Sequence, residues 1–143
     1  MRSAARMDPP TAPLALPPIL RTKVLLPQSH ADLVARERLF QELDSGFRLG
    51  LTVVTAPPGY GKTTLVAEWV RRRMIPCAWL SLDAEDDLLP RFWMYVAAAF
   101  EELERGCTGS TLAMLRSPAV PSTEAVLTEL LNGRAEIERE CAR

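Results

Sequence analysis

A chain of 143 residues, 48 % of them hydrophobic, has the length of one ordinary domain and enough apolar material for a core. Its net charge of −1 excludes a general attraction to nucleic acid or to an anionic membrane surface. A single histidine, His30, and three scattered cysteines, Cys77, Cys107 and Cys141, exclude multi-His metal sites, a C-x-x-C pair and any mechanism needing two imidazoles.

Residues 1–18 are proline-rich and predict a mobile, extended lead-in without a fixed fold. Arg2 and Arg6 followed by a weakly apolar stretch imitate a signal peptide, but five prolines before residue 19 break it up. No apolar run approaches the roughly 18 residues of a membrane span, so the expectation is a cytoplasmic protein with no membrane partner. Order is expected from Ile19 to Pro27, a short apolar segment closed by proline. The stretch from Leu33 to Phe40 then leads into a helix running to about Ser45, with Leu39, Phe40, Leu43 and Phe47 on one face and Gly46 as the stop.

The stretch from Leu51 to Arg73, LTVVTAPPGYGKTTLVAEWVRRR, predicts a buried strand over 51–56, a loop over 56–63 and a helix over 62–73. The loop fits the Walker A pattern, with Ala56 in the first glycine position, then Pro57, Pro58, Gly59, Tyr60, Gly61, Lys62, Thr63 and Thr64. Gly59 and Gly61 permit left-handed backbone angles, so successive N–H groups can turn inward as an anion-binding nest. The unpaired N–H groups and dipole of the following helix add to it. Lys62 is placed to reach the β and γ phosphates of a nucleotide, and the Thr63 hydroxyl to bind Mg²⁺. Only two lysines stand against fifteen arginines, so Lys62 is not drawn from a lysine-rich background. The bland alternative is a Pro-Gly turn joining a strand to a helix. Arg71, Arg72 and Arg73 at the helix end suggest nucleic acid, but the helix dipole and solvation account for cations there.

A second buried strand is expected over Cys77 to Leu82, followed by four carboxylates in five residues, Asp83, Glu85, Asp86 and Asp87. Two readings stay open for them: a ligand edge at the carboxyl end of a strand, or an acidic helix N-cap ahead of Pro90. Pro90 to Arg105 reads as a helix with Phe92, Trp93, Val96, Phe100 and Leu103 on its apolar face, ended by Gly106. A loop follows, interrupted by a short apolar segment around Leu112 to Leu115. A last helix starts near Ser122, and its pattern breaks at Asn132-Gly133 ahead of a polar tail over 132–143. The fold class is therefore α/β, an incomplete P-loop NTPase domain over 19–131. A Walker B strand ending in Asp is missing; the segment ending at Asp83 is the nearest candidate, and hydrolysis of ATP by this chain alone is not expected.

These residues resemble the N-terminal part of the MalT-like, LuxR-type transcription regulators, a family of large signal-transducing ATPases. The resemblance rests on TK-x-L-x-P at Thr22 to Pro27, LV-x-R-x-RL at Leu33 to Leu39, and the phosphate loop at Thr55 to Thr64. It continues through AEW at Ala67 to Trp69, AWLSLD at Ala78 to Asp83, RFW-x-Y at Arg91 to Tyr95 and LRSP at Leu115 to Pro118. The chain departs from the family's D-N-D-P at Asp87, Leu88 and Leu89. The resemblance implies an ATP-dependent switch with ATP and Mg²⁺ as ligands and self-association of the full-length member. It also implies DNA contact only through a C-terminal domain absent from this chain, and places Val34 and Arg36 at the adenine. Two other classes stay open: a small P-loop phosphotransferase with Asp83 as base beside Lys62, and a gene remnant without function.

Overall fold

A computed structural model describes residues 18–28, 36–119 and 121–141. Residues 1–17 of the expected lead-in over 1–18, His30, and the segment carrying Val34 lie outside the described residues. Among the described residues five helices follow in chain order: α1 (Glu37–Phe47), α2 (Lys62–Arg73), α3 (Leu89–Leu103), α4 (Gly109–Leu115) and α5 (Thr123–Cys141). Short 3₁₀ turns lie at Arg21–Lys23 and Ala84–Asp86.

Among the described residues there is no strand and no sheet, which corrects the α/β expectation. The physical reason lies in pairing. A strand is a property of two backbones, and an apolar run becomes one only when its N–H and C=O groups meet a ladder partner. Among the described residues, 51–55 form no backbone hydrogen bond to any other segment. Over 77–82 the described residues show one, from Ser81 N–H to the Lys23 carbonyl at 2.8 Å. Neither run is buried along its length: Leu51 is 79 % exposed, Val53 72 % and Leu82 53 %.

The core is built in three parts. Phe40 and Leu43 of α1 meet Trp69 and Val70 of α2, with Leu26, Val54 and Ile75 packed around them. The indole N–H of Trp69 donates to the Asp44 carboxylate at 2.7 Å, and Phe47 lies edge-on to the Trp69 ring at 5.6 Å. Val24, Tyr95 and Ala99 form a second part, covered by Ala78 and Leu80. Met94, Leu115 and Val126 form the third, where α3, α4 and α5 meet.

Sequence pattern and packing differ in α3. The expected face of Phe92, Trp93, Val96, Phe100 and Leu103 is half-buried, and the buried positions are Met94, Tyr95, Ala97 and Ala99. The helix is apolar nearly all round, so periodicity alone does not choose which face meets the densest neighbours. Two other boundaries move. The apolar segment around Leu112 forms α4, because Glu101 holds the preceding turn by accepting from Gly106 N–H at 2.7 Å and the Thr108 hydroxyl at 2.7 Å. Asn132-Gly133 does not end α5, which starts one residue after Ser122, whose hydroxyl accepts from Ala125 N–H at 3.2 Å.

Candidate phosphate-binding loop

The loop between residue 56 and α2 has the backbone that the sequence predicts. Tyr60 N–H donates to the Pro57 carbonyl at 3.4 Å and closes a turn with Pro58 and Gly59 at its centre. Gly59 sits at φ 83°, the angle a type II turn demands of its third residue. Gly61 at φ 74° is the N-cap of α2, and its carbonyl accepts the first helical bond from Leu65 N–H at 2.8 Å. A Cβ added at either glycine meets nothing within 4 Å, so the two positions are glycine for their backbone angle and not for want of room.

No side chain caps the start of α2, which leaves the first-turn N–H groups of the helix presented at the loop. Thr63 and Thr64 are exposed there. The Lys62 ammonium folds back over the loop and donates to the Ala56 carbonyl at 2.6 Å and the Pro57 carbonyl at 3.2 Å. An arriving anion competes with two neutral carbonyls for that cation, and a charged acceptor makes the stronger bond. From the other side, Arg36 donates to the Tyr60 carbonyl at 3.2 Å. Arg36, Tyr60 and Lys62 line a cavity of about 500 Å³ whose walls also include Leu39, Leu43 and Leu65. The structure thus brings Arg36 to the loop through its backbone, while Val34, its expected companion, lies outside the described residues.

Magnesium asks for octahedral oxygen ligands and takes most of them from water and phosphate. Thr63 fits as a single protein ligand; among the described residues no group of three His, Cys, Asp or Glu is placed to hold a metal ion. Cys77 and Cys107 are free thiols, and burial raises the pKa of both.

The acidic run resolves as structure. Asp83 caps the Ala84–Asp86 turn, accepting from Glu85 N–H at 3.1 Å, while Asp86 accepts from Asp83 N–H at 3.0 Å. Asp86 is buried and takes Lys23 at 2.6 Å and Arg91 at 3.0 Å, and the same Lys23 ammonium reaches Asp83 at 2.7 Å. The Lys23 hydrogen bond first, and the Asp83 N–H second, pull the Asp86 pKa down to about 2 against the cost of burial. Sequence reasoning had no signal for this role of Lys23, which lies 63 positions from Asp86. Two of the three arginines ending α2 are also occupied: Arg72 pairs with Glu68 at 2.8 Å, and Arg73 with Asp44 at 2.7 Å.

No known family model matches the chain, and no solved structure matches it. Among the described residues no helix is long and apolar enough to cross a membrane.

Proposed function

We propose that the chain binds ATP with Mg²⁺ through the loop from Ala56 to Thr64. The observation that carries this is the backbone of the loop: two left-handed glycines leading into an uncapped helix, with the Lys62 ammonium held above them. A turn that served only to join two elements has no need of a second left-handed glycine at the helix cap or of a lysine folded onto its carbonyls. The N–H groups accept phosphate oxygens, Lys62 transfers from the Ala56 and Pro57 carbonyls to the phosphates, and Thr63 offers its hydroxyl to the cation. Magnesium, when bound, neutralises phosphate charge. Arg36 steadies the loop through the Tyr60 carbonyl.

Adenine as the base rests on the sequence resemblance, as does the wider role: the ATP-binding portion of a cytoplasmic, ATP-dependent regulator of the MalT-like, LuxR type, with DNA contact belonging to another domain. We assign no hydrolytic residue. A phosphotransferase using Asp83 as base is disfavoured, because its carboxylate is engaged by Lys23 and by Glu85 N–H.

Displacement of a fluorescent ATP analogue tests the phosphate-centred reading. ATP and ADP should compete, and adenosine should compete at least about tenfold more weakly, a difference of about 1.4 kcal/mol. Equal competition by adenosine contradicts it.

A further inference from the structure

Resting on the nucleotide reading of the loop from Ala56 to Thr64, we propose that Glu42 reads the sugar of the bound nucleotide. Its carboxylate accepts hydrogen bonds from the two vicinal hydroxyls of the ribose.

Placement is the first observation. The cavity of about 500 Å³ beside the loop is lined by Ala56 and Lys62 and also by Glu42. A volume of that size is ordinary for a small-molecule site, and a phosphate group fills only a small part of it. Arg36, the N-cap of α1, has its guanidinium on the Tyr60 carbonyl at 3.2 Å. Glu42 lies on the same helix, about 9 Å farther along its axis than Arg36, the span of a phosphate and a pentose. Leu39 and Leu43 of α1 share that wall and give a sugar ring and a base an apolar surface to rest on.

Charge is the second observation, and it selects the ribose. Glu42 is the one carboxylate among the described residues that line the cavity, whereas Arg36 and Lys62 there are donors only. An acid set beside a polyanion opposes its binding unless it meets donors on the same ligand. Ribose supplies two, on adjacent carbons, matched to the two oxygens of a carboxylate. Adenine matches less well: its amino group donates, but the ring nitrogens on either side, N1 and N7, are acceptors and set a lone pair against the second oxygen. The carboxylate is also oriented from its own helix. Arg38 Nη1 donates to Glu42 Oε1 at 2.7 Å, and among the described residues Oε2 accepts nothing. The Glu42 side chain is 59 % exposed, so a ligand in the cavity can reach it.

The test is calorimetry on the full chain and its Glu42→Ala variant with three probes in the presence of Mg²⁺: ATP, 2′,3′-dideoxy-ATP and tripolyphosphate. Wild type should prefer ATP to the dideoxy analogue at least about tenfold, the effect of hydrogen bonds to a charged acceptor. In Glu42→Ala, at an exposed helical position that alanine suits, the preference should fall to about threefold or less. Tripolyphosphate should bind the variant at least as tightly as wild type, because a negative charge has been removed. Equal binding of ATP and the analogue by wild type overturns the proposal, and tripolyphosphate binding then shows that the loop reading stands. A preference that survives in Glu42→Ala overturns it too. So does a variant that loses ATP and the analogue equally, which places the carboxylate against the base, or one that loses tripolyphosphate, which makes its role structural. A wild type that binds none of the three probes overturns the loop reading along with it.

Discussion

Replacing Gly133 by alanine should destabilise the chain, against the usual expectation for a helix. In the interior of an exposed helix, alanine is more favourable than glycine by about 1 kcal/mol. Gly133 lies within α5, but a Cβ built there falls on the carbonyl oxygen of Cys107, with the Cys107 carbonyl carbon at 3.2 Å. The obstacle is backbone and cannot rotate aside. It is also held: Cys107 is buried, and Glu101 clamps the surrounding turn through Gly106 N–H at 2.7 Å and through Thr108 N–H at 3.3 Å and its hydroxyl at 2.7 Å. Overpacking of this kind costs about 1–3 kcal/mol. Because the clamp blocks relaxation, the upper part of that range applies, and about 1–2 kcal/mol remains after the gain in helix propensity. Thermal melts should place Gly133→Ala roughly 3–8 °C below wild type. Gly109→Ala is the control, since a Cβ at Gly109 meets nothing within 4 Å and its φ is not positive. It should melt at or above wild type. If Gly133→Ala melts as high as Gly109→Ala, α5 does not pack on the Cys107 turn as described.

Three further outcomes follow from the site and its supports. Gly61→Ala forces a side chain into φ 74°, which costs about 1–2 kcal/mol and distorts the start of α2, so nucleotide titrations of this variant should show clearly weakened binding with helicity retained. Phe40→Ala removes a side chain that is 2 % exposed at the joint of α1 and α2 and should lower urea stability by about 3–5 kcal/mol. For Asp86, a folded pKa of about 2 lies below the ordinary value near 3.9, so its contribution to stability is full above pH ~4 and is lost as pH falls through about 2. The melting difference between wild type and Asp86→Asn should therefore shrink steadily on acidification from about pH 5 to about pH 2; a difference that stays constant would show that Asp86 is not the paired carboxylate.

Helices α1, α2 and α3, the start of α5 and the loop were legible because their signals are local, whereas α4 and the continuation of α5 past Gly133 were not. The bounds of α2 follow from Gly61, the apolar spacing of Leu65, Val66, Trp69 and Val70, and the arginines at its end, and the structure ends it at Arg73 as expected. The left-handed angles of Gly59 and Gly61 were legible from residue type together with the Walker A pattern around them. The absence of strands was not legible, because Leu51, Val53 and Leu82 carry the composition of a strand while pairing depends on a second backbone that no local pattern encodes. The same limit hid the tie between Lys23 and Asp86 and the approach of Gly133 to Cys107, both of which join residues far apart in sequence. A mid-helix glycine reads as a break when the surface it accommodates is unseen. The choice between a ligand edge and a cap for the acidic run likewise needed Lys23 and Arg91 in place around Asp86.

The most direct test of the central claim is a calorimetric titration of ATP with Mg²⁺ into the folded wild-type chain and into Lys62→Ala. Lys62 is the one lysine of this loop, and its ammonium lies within 2.6 Å of the loop carbonyl at Ala56. A bond from a charged donor to phosphate contributes about 1.5–3 kcal/mol, so the variant should bind roughly ten- to a hundredfold more weakly while melting like wild type. Equal ATP affinity in the two proteins would contradict the assignment of this loop as the nucleotide site.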